Sequence, residues 1–268
     1  MMNRISQKVD QLRAKGGKSL TIVIMIADPD IETTFKLVEI AVDVGVDAIE
    51  LGIPIADPFL DSDVMRKSMA RALAHTQDYK TYIATLGKLR EKYPDMPFEV
   101  MIYHATTMAI GLDDFCKSLV DTGMDAVLVA DGVFKGRGYL AGLDRKLLDR
   151  GVIPIRFVPH PFDPGQIDDL RKNAHGFIVV QTKADSKGER TVVLDENKVV
   201  LDEIRNGGVK IPLVMAYGIK TPVDIQKCIS MGADGVLIGT VLLEAAHRLS
   251  MTEFHSLLIK LRRATAGV

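Results

Sequence analysis

The chain has 268 residues, of which 47% are hydrophobic and 26% charged, with a formal net charge of −1. This composition suits a large core under an ordinary charged surface, and the near-zero charge provides no electrostatic footprint for nucleic acid or acidic membranes. No segment has the roughly 18 apolar residues of a membrane span, and the N-terminus lacks a signal core, so we predict a cytoplasmic protein. Neither cysteine has metal-site spacing, so we predict no bound metal.

Short apolar runs, rich in Val and Ile, alternate with helical patterns along the whole chain. Because these runs are continuous rather than alternating with polar residues, they are typical of parallel strands buried on both faces. They cover residues 20–26, 48–51, 98–103, 126–130, 153–158, 176–181, 212–216 and 235–238.

Four of the intervening helical patterns, at 31–44, 112–122, 135–150 and 223–231, are each followed by a glycine. Glycine readily adopts the left-handed conformation in which helices often end. Eight strands alternating with helices predict one (β/α)8 TIM barrel domain over residues 1–268. The alternative, an open doubly wound sheet, is disfavoured because no Gly-x-Gly-x-x-Gly follows the first strand.

The most informative segment is the second predicted strand with the loop that follows it. Glu50 lies near the strand end, and a turn-rich loop brings Asp61 back over that end. Barrel active sites lie on such loops, and two facing carboxylates suit general acid–base chemistry. We predict that both acids approach one cavity, where Ile24, Tyr103 and Val129 desolvate Glu50 and raise its pKa towards neutrality.

The phosphate prediction rests on the ends of the last two predicted strands. Gly218 follows the seventh strand, while Gly239 and Thr240 follow the eighth at the start of a helix. Backbone N–H groups at such glycines, together with a helix N-terminus, can bind an anion. We therefore predict a phosphate-binding type of barrel and a small phosphorylated substrate, with Lys220 as an added side-chain partner. Tight strand-to-helix turns are the alternative explanation of the glycines.

The run from Glu50 to Asp61 resembles the tryptophan synthase α subunit signature, Glu-Leu-Gly-(Ile/Val)-Pro-Phe-Ser-Asp-Pro-x-x-Asp-Gly-Pro. The resemblance in order and spacing extends from Asp28 to Thr240. It implies retro-aldol cleavage of indole-3-glycerol phosphate to indole and glyceraldehyde 3-phosphate, without cofactor, metal or Schiff base. Asp61 would then face the indole N–H, and Glu50 would shuttle protons at C3 and the glycerol hydroxyl.

The same resemblance implies further substrate-binding residues. Tyr103 would pack against the substrate or hold Glu50, and Asp131 would order loops or support Tyr103. Tyr217 stands where the family has Phe, and Gly188 matches a glycine in the loop by which the family closes its lid. Lys183, in the same loop, leaves aldolase chemistry through a Schiff base as a rival.

The chain departs from the family at the ligand and partner faces. Ser62-Asp63-Val64 replaces Gly-Pro-Thr, and Ile55-Ala56 replaces Phe-Ser in the loop that contacts the β subunit in the family. An extra charge at such an interface is costly, so we expect weak or no association with a tryptophan synthase β subunit, and self-association or a monomer instead. Two alternatives stay open: a lyase, aldolase or isomerase acting on another phosphorylated substrate, and a non-catalytic phosphate-ester-binding subunit.

Overall fold

The computed structural model describes residues 3–187 and 190–266. Its strands are β1 (Ser19–Met25), β2 (Ala48–Gly52), β3 (Phe98–Ile102), β4 (Ala126–Val129), β5 (Ile153–Pro154), β6 (Arg156–Val158), β7 (Ile178–Gln181), β8 (Ala184–Lys187), β9 (Arg190–Val193), β10 (Leu213–Ala216) and β11 (Gly235–Ile238).

Nine of these strands form one parallel sheet, in the order β5-β4-β3-β2-β1-β11-β10-β7-β6. Only Ile155 separates β5 from β6, and its N–H donates a 2.8 Å hydrogen bond to the carbonyl oxygen of Val127. The two segments are therefore parts of one barrel strand, which pairs with β4 on one side and β7 on the other. The sheet closes as a barrel of eight strands, and the predicted (β/α)8 fold is confirmed. The remaining two strands, β8 and β9, form an antiparallel hairpin.

The helices surround this barrel and connect its strands. They are α1 (Arg4–Ala14), α2 (Ile31–Val44), α3 (Asp63–His75), α4 (Tyr79–Lys92), α5 (His104–Ile110), α6 (Leu112–Asp121), α7 (Arg137–Leu147), α8 (Ile167–Asn173), α9 (Asn197–Asn206), α10 (Pro222–Ser230), α11 (Thr240–Arg248) and α12 (Met251–Ala266). Within the described ranges, no helix is long and apolar enough to cross a membrane.

The helix ends agree closely with the sequence patterns. Helix α2 has the predicted bounds, and Gly45 after it has φ +77°, a conformation that a side chain would disfavour. The predicted helix 135–150 is shorter in the structure because two 3-10 turns flank α7, at Gly132–Lys135 and Leu148–Arg150.

One end of the barrel is covered and the other is open. At the N-terminal ends of the strands, α1 buries Ile5, and the side-chain amide of Asn3 donates 2.7 Å hydrogen bonds to the carbonyl oxygens of Asp125 and Gly151. The C-terminal ends of the strands lead into the strand-to-helix loops, where barrel active sites lie.

Candidate active site

A cavity of about 120 Å³ opens at the C-terminal ends of the strands. Six of the residues predicted for the site line the cavity: Glu50, Asp61, Tyr217, Gly218, Gly239 and Thr240. Its apolar wall includes Val23, Met101, Leu128, Val179 and Leu237.

Glu50 is the most deeply buried acid of this cavity, at 3% exposure, and its Oε2 has no hydrogen-bond partner in the described ranges. Burial first, and the nearby Asp61 carboxylate second, raise the pKa of Glu50 to about 8. The predicted rise in the pKa of Glu50 is therefore present. The prediction that Ile24 and Val129 desolvate Glu50 was wrong by one position along each strand.

The reason for that error is strand alternation. Val23 pairs in register with Glu50 on the neighbouring strand, and Val23 and Leu128 line the cavity. Successive residues of a strand point to opposite faces of the sheet, so the next residues, Ile24 and Val129, face away from the barrel interior.

Asp61 is held by Tyr103. The Tyr103 hydroxyl donates a 2.6 Å hydrogen bond to Oδ2 of Asp61 and accepts one of 3.3 Å from the N–H of Leu60. Burial raises the pKa of Asp61, while the hydrogen bond from Tyr103 opposes that rise. Burial also raises the pKa of Tyr103, so the phenol remains a neutral donor. One predicted role of Tyr103 was to hold Glu50. In the structure its hydroxyl donates to Asp61 instead.

The start of α11 also borders the cavity. Gly239 precedes this helix and provides no side-chain cap, so the first N–H groups of the helix have no side-chain acceptor there. A Cβ atom at Gly239 would lie 3.0 Å from Cγ2 of Val23, so a side chain here would require Val23 to move by a few tenths of an ångström. Thr240 Oγ1 lies 3.4 Å from the hydroxyl of Ser62, which joins this helix to the Asp61 loop.

The end of β10 has an unusual backbone. Tyr217 and Gly218 have φ values of +74° and +68°, so two successive residues are left-handed, and Tyr217 is one of two such non-glycine residues in the described chain. The hydroxyl of Thr182 donates to the Tyr217 carbonyl oxygen and stabilises this turn. Burial, Asp61 and Glu50 raise the pKa of Tyr217, in that order, so its phenol is also neutral.

Other predicted residues lie outside the cavity lining. Asp131 accepts a 2.7 Å hydrogen bond from the N–H of His104 and lies 3.2 Å from Nζ of Lys135, so it fixes the start of α5. Lys220 is half-buried, and its N–H donates a 3.1 Å bond to Asp224. Substrate-binding roles for Asp131 and Lys220 stay predictions. Gly188 lies outside the described residues.

Lys183, the residue of the Schiff-base alternative, does not line the cavity. Its ammonium group forms a 2.5 Å ion pair with Glu196, and its N–H donates a 2.7 Å hydrogen bond to Asn197. Both partners lie at the start of α9, beyond the hairpin.

Glu99, a neighbour of the site that does not line the cavity, was missed from the sequence. It is fully buried on β3 and pairs in register with Glu50, and neither of its carboxylate oxygens has a hydrogen-bond partner among the described residues. The available signal was a glutamate inside the apolar run Phe98–Ile102, because acids are rarely fully buried without a partner.

A closed parallel barrel, with two carboxylates and a helix N-terminus lining one cavity at its C-terminal mouth, defines the class: a (β/α)8 barrel with the site architecture of barrel enzymes. The comparisons with known proteins identify the family within that class. A family model described as tryptophan synthase alpha chain matches residues 9–264.

Relatives and solved structures agree with this match. The chain is 31% identical over 250 residues to a tryptophan synthase alpha chain of Citrifermentans bemidjiense, with 91% of this chain and 89% of the relative covered. It is 28% identical over 242 residues to that of Methanoregula boonei, with 90% and 89% covered. The crystal structure of tryptophan synthase subunit alpha from Legionella pneumophila is similar, with a TM-score of 0.87 at 27% identity over the whole of both chains.

The chain therefore belongs to the tryptophan synthase alpha chain family, as its sequence signature predicts. These matches support a lyase of tryptophan biosynthesis and give no support to the two alternative functions.

Proposed function

We propose that this chain cleaves indole-3-glycerol phosphate into indole and glyceraldehyde 3-phosphate by a retro-aldol reaction. One observation carries the proposal. Glu50 and Asp61 line the same cavity as the uncapped start of α11. A substrate with both an indole ring and a phosphate matches this combination of two acids and an anion site.

Glu50 is assigned the proton transfers. The reaction needs a base for the glycerol hydroxyl next to the scissile bond and an acid that protonates C3 of the indole. A carboxyl group with a pKa of about 8 is present in both forms near neutral pH, so it can accept one proton and deliver another.

Asp61 is assigned the indole N–H. Positive charge develops on the ring nitrogen when C3 is protonated, and a carboxylate accepting that N–H stabilises the charge. The hydrogen bond from Tyr103 favours the ionised form of Asp61 that this role requires. It also leaves the second carboxylate oxygen of Asp61 available for the substrate.

The phosphate is assigned to the loops after β10 and β11. Gly218, Gly239 and Thr240 bring backbone N–H groups to the cavity, and the dipole of α11 favours an anion at its N-terminus. No lysine lies among the cavity-lining residues of the described chain. That lining supports acid–base chemistry by the carboxylates over a Schiff-base route.

The partner follows from the family but is a separate proposal. The loop after β2 exposes Phe59, whose ring packs edge-on against Tyr103 at 5.7 Å between centroids. A protein bound to this loop would thus contact the residue that holds Asp61. We propose a cytoplasmic enzyme whose association with a tryptophan synthase β subunit is weak.

Indole release tests the function. The purified chain is incubated with indole-3-glycerol phosphate, and indole and glyceraldehyde 3-phosphate are measured separately. Equal amounts of both products, lost in E50Q and D61N but kept in E91Q at an exposed surface position, would support the proposal. Phosphate-ester binding without product formation would contradict it.

A further inference from the structure

Glu99 and Glu50 are direct neighbours in the barrel interior. They pair in register on β3 and β2, whose backbones lie about 4.8 Å apart in a sheet, and register partners point to the same face. Glu99 is completely buried. Within the part of the chain that the structure describes, three carboxyl oxygens of the two side chains have no hydrogen-bond partner: Oε2 of Glu50 and both oxygens of Glu99.

Two ionised carboxylates cannot be stable side by side in such a place. An unpaired buried charge is strongly unfavourable, and a second one beside it adds repulsion. Burial first, and then the charge of Glu50, raise the pKa of Glu99 well above its ordinary value. Glu50 lines the cavity that opens to solvent, whereas Glu99 is completely buried and is not among the lining residues. Water is therefore less able to stabilise an ionised Glu99, and of the two neighbours Glu99 is the one expected to keep its proton.

A buried carboxylic acid has one hydrogen to donate, and the neighbouring oxygen without a partner is Oε2 of Glu50. We propose that Glu99 is a positioning residue for the reaction: its protonated carboxyl group donates a hydrogen bond to Glu50 and fixes that carboxylate. This inference rests on the proposed function, because Glu99 can position Glu50 for the reaction only if Glu50 carries out the proposed proton transfers.

The proton balance of the proposed reaction is simple. The Glu50 O–H bond breaks as the C3–H bond of the indole forms, which leaves positive charge on the ring nitrogen. Ionised Glu50 then takes the proton of the glycerol hydroxyl as the aldehyde C=O bond forms, the C–C bond to C3 breaks and its electron pair returns to the ring, so Glu50 ends with its proton. Glu99 keeps its proton in every step. Its hydrogen bond stabilises ionised Glu50 more strongly than protonated Glu50, so it holds the pKa of Glu50 below the value that burial alone would produce.

A structural role alone would be served better by an apolar side chain, because burying an unsatisfied carboxyl group is unfavourable. E99L and E99Q separate the two roles. Leucine fills similar space without a donor, whereas glutamine keeps a neutral donor at the same place. We expect E99L to lower kcat for indole release about tenfold or more, the size expected for a hydrogen bond to a charged group.

The pH profile distinguishes positioning from packing. In E99L, the pH at which kcat rises on the acid side should shift upwards by about one unit, because Glu50 loses the bond that favours its ionised form. E99Q should restore most of kcat and the wild-type profile. Loss of kcat in E99L without any pH shift, or no rescue by E99Q, would overturn the proposal.

A second measurement does not depend on activity. Infrared difference spectra of E99Q against the wild-type chain at neutral pH should show the loss of a protonated carboxyl band, in both the wild-type and E50Q backgrounds. E91Q, an exposed position, should show no such change. Loss of a carboxylate band instead would mean that Glu99 is ionised, which refutes the inference. If the wild-type chain releases no indole while the protonated band is present, the proposed function fails and the protonation state of Glu99 stands.

Discussion

The hydroxyl of Tyr103 connects the end of β3 to the loop after β2, because it donates to Asp61 at 2.6 Å and accepts from the N–H of Leu60 at 3.3 Å. The position of Asp61 is thus determined by the end of a neighbouring strand as well as by its own loop. In the family signature, a Gly-Pro pair follows this acid. Here Ser62 follows instead, and its hydroxyl accepts from the N–H of Met65 and begins α3.

Replacing Tyr103 by Phe should affect Asp61 selectively. The hydrogen bond lowers the pKa of Asp61, so its loss raises that pKa, and kcat should begin to fall at a higher pH on the acid side. We expect a loss of about tenfold in kcat for indole release at neutral pH. The control is Y139F, whose hydroxyl contacts Thr107 at 3.5 Å outside the cavity lining. Equal effects of the two variants would contradict the assignment.

Replacing Glu50 by Gln tests the proton transfers. The amide keeps the shape of the side chain but cannot donate and accept a proton at neutral pH, so kcat should fall at least ~100-fold while KM changes little. Single-turnover kinetics of indole formation measure the chemical step directly. If E50Q retained wild-type turnover, another group would have to carry the proton transfers.

The buried acids also predict how stability depends on pH. The pKa of Glu50 is about 8 in the folded chain against an ordinary 4.5, so between these values the folded state holds a proton that the unfolded chain releases. Stability contributed in this way is complete below pH ~4.5 and is lost as the pH rises through about 8. The pKa of Glu99 is also raised in the folded chain, so Glu99 likewise makes the folded state less stable as the pH rises.

Thermal unfolding between pH 5 and 9 checks this dependence. The Tm of the wild-type chain should fall more steeply with rising pH than the Tm of E50Q, and the E50Q/E99Q double variant should have the flattest curve. Groups shared by all three chains cancel in this comparison. Parallel curves would mean that neither acid is protonated in the folded state.

Sequence patterns predicted the barrel well because each of its signals is local. Apolar runs and following glycines report on the nearest few residues, so eight strands and the end of α2 were found directly. The acid pair was found because its loop has a distinctive sequence. Glu99 was missed because its importance arises from a register between strands 49 residues apart along the chain. Such a relationship depends on how the strands pair in the sheet, and the only sign of it in the local sequence is a glutamate inside an apolar run.

The anion site can be tested by a change of charge at Thr240. T240D would place a carboxylate at the start of α11, where it repels a phosphate and caps the N–H groups that the phosphate would use. Binding of glycerol phosphate, followed by calorimetry, should be lost while Tm changes little. S250D, at the start of α12 and outside the cavity lining, is the matched control and should bind normally. Unchanged binding in T240D would mean that the glycines only form turns.

Association with a β subunit is the remaining prediction, and it depends on the loop between β2 and α3. Ala56, Asp57 and Phe59 are exposed there, and Asp63 adds an exposed acid at the first turn of α3. A charge buried in an interface without a partner weakens a complex by several kcal/mol, roughly enough to make a tight complex undetectable.

We therefore expect this chain and an ordinary tryptophan synthase β subunit, mixed at micromolar concentration, to elute separately in size-exclusion chromatography. The variant D63P restores the family's proline at one altered position and is compatible with the first turn of a helix, where proline is tolerated. It should increase co-elution if the added acid is responsible for weak binding. Stable co-elution of the unmodified chain, with mutual activation of the two subunits, would show that the loop substitutions leave the partner surface functional.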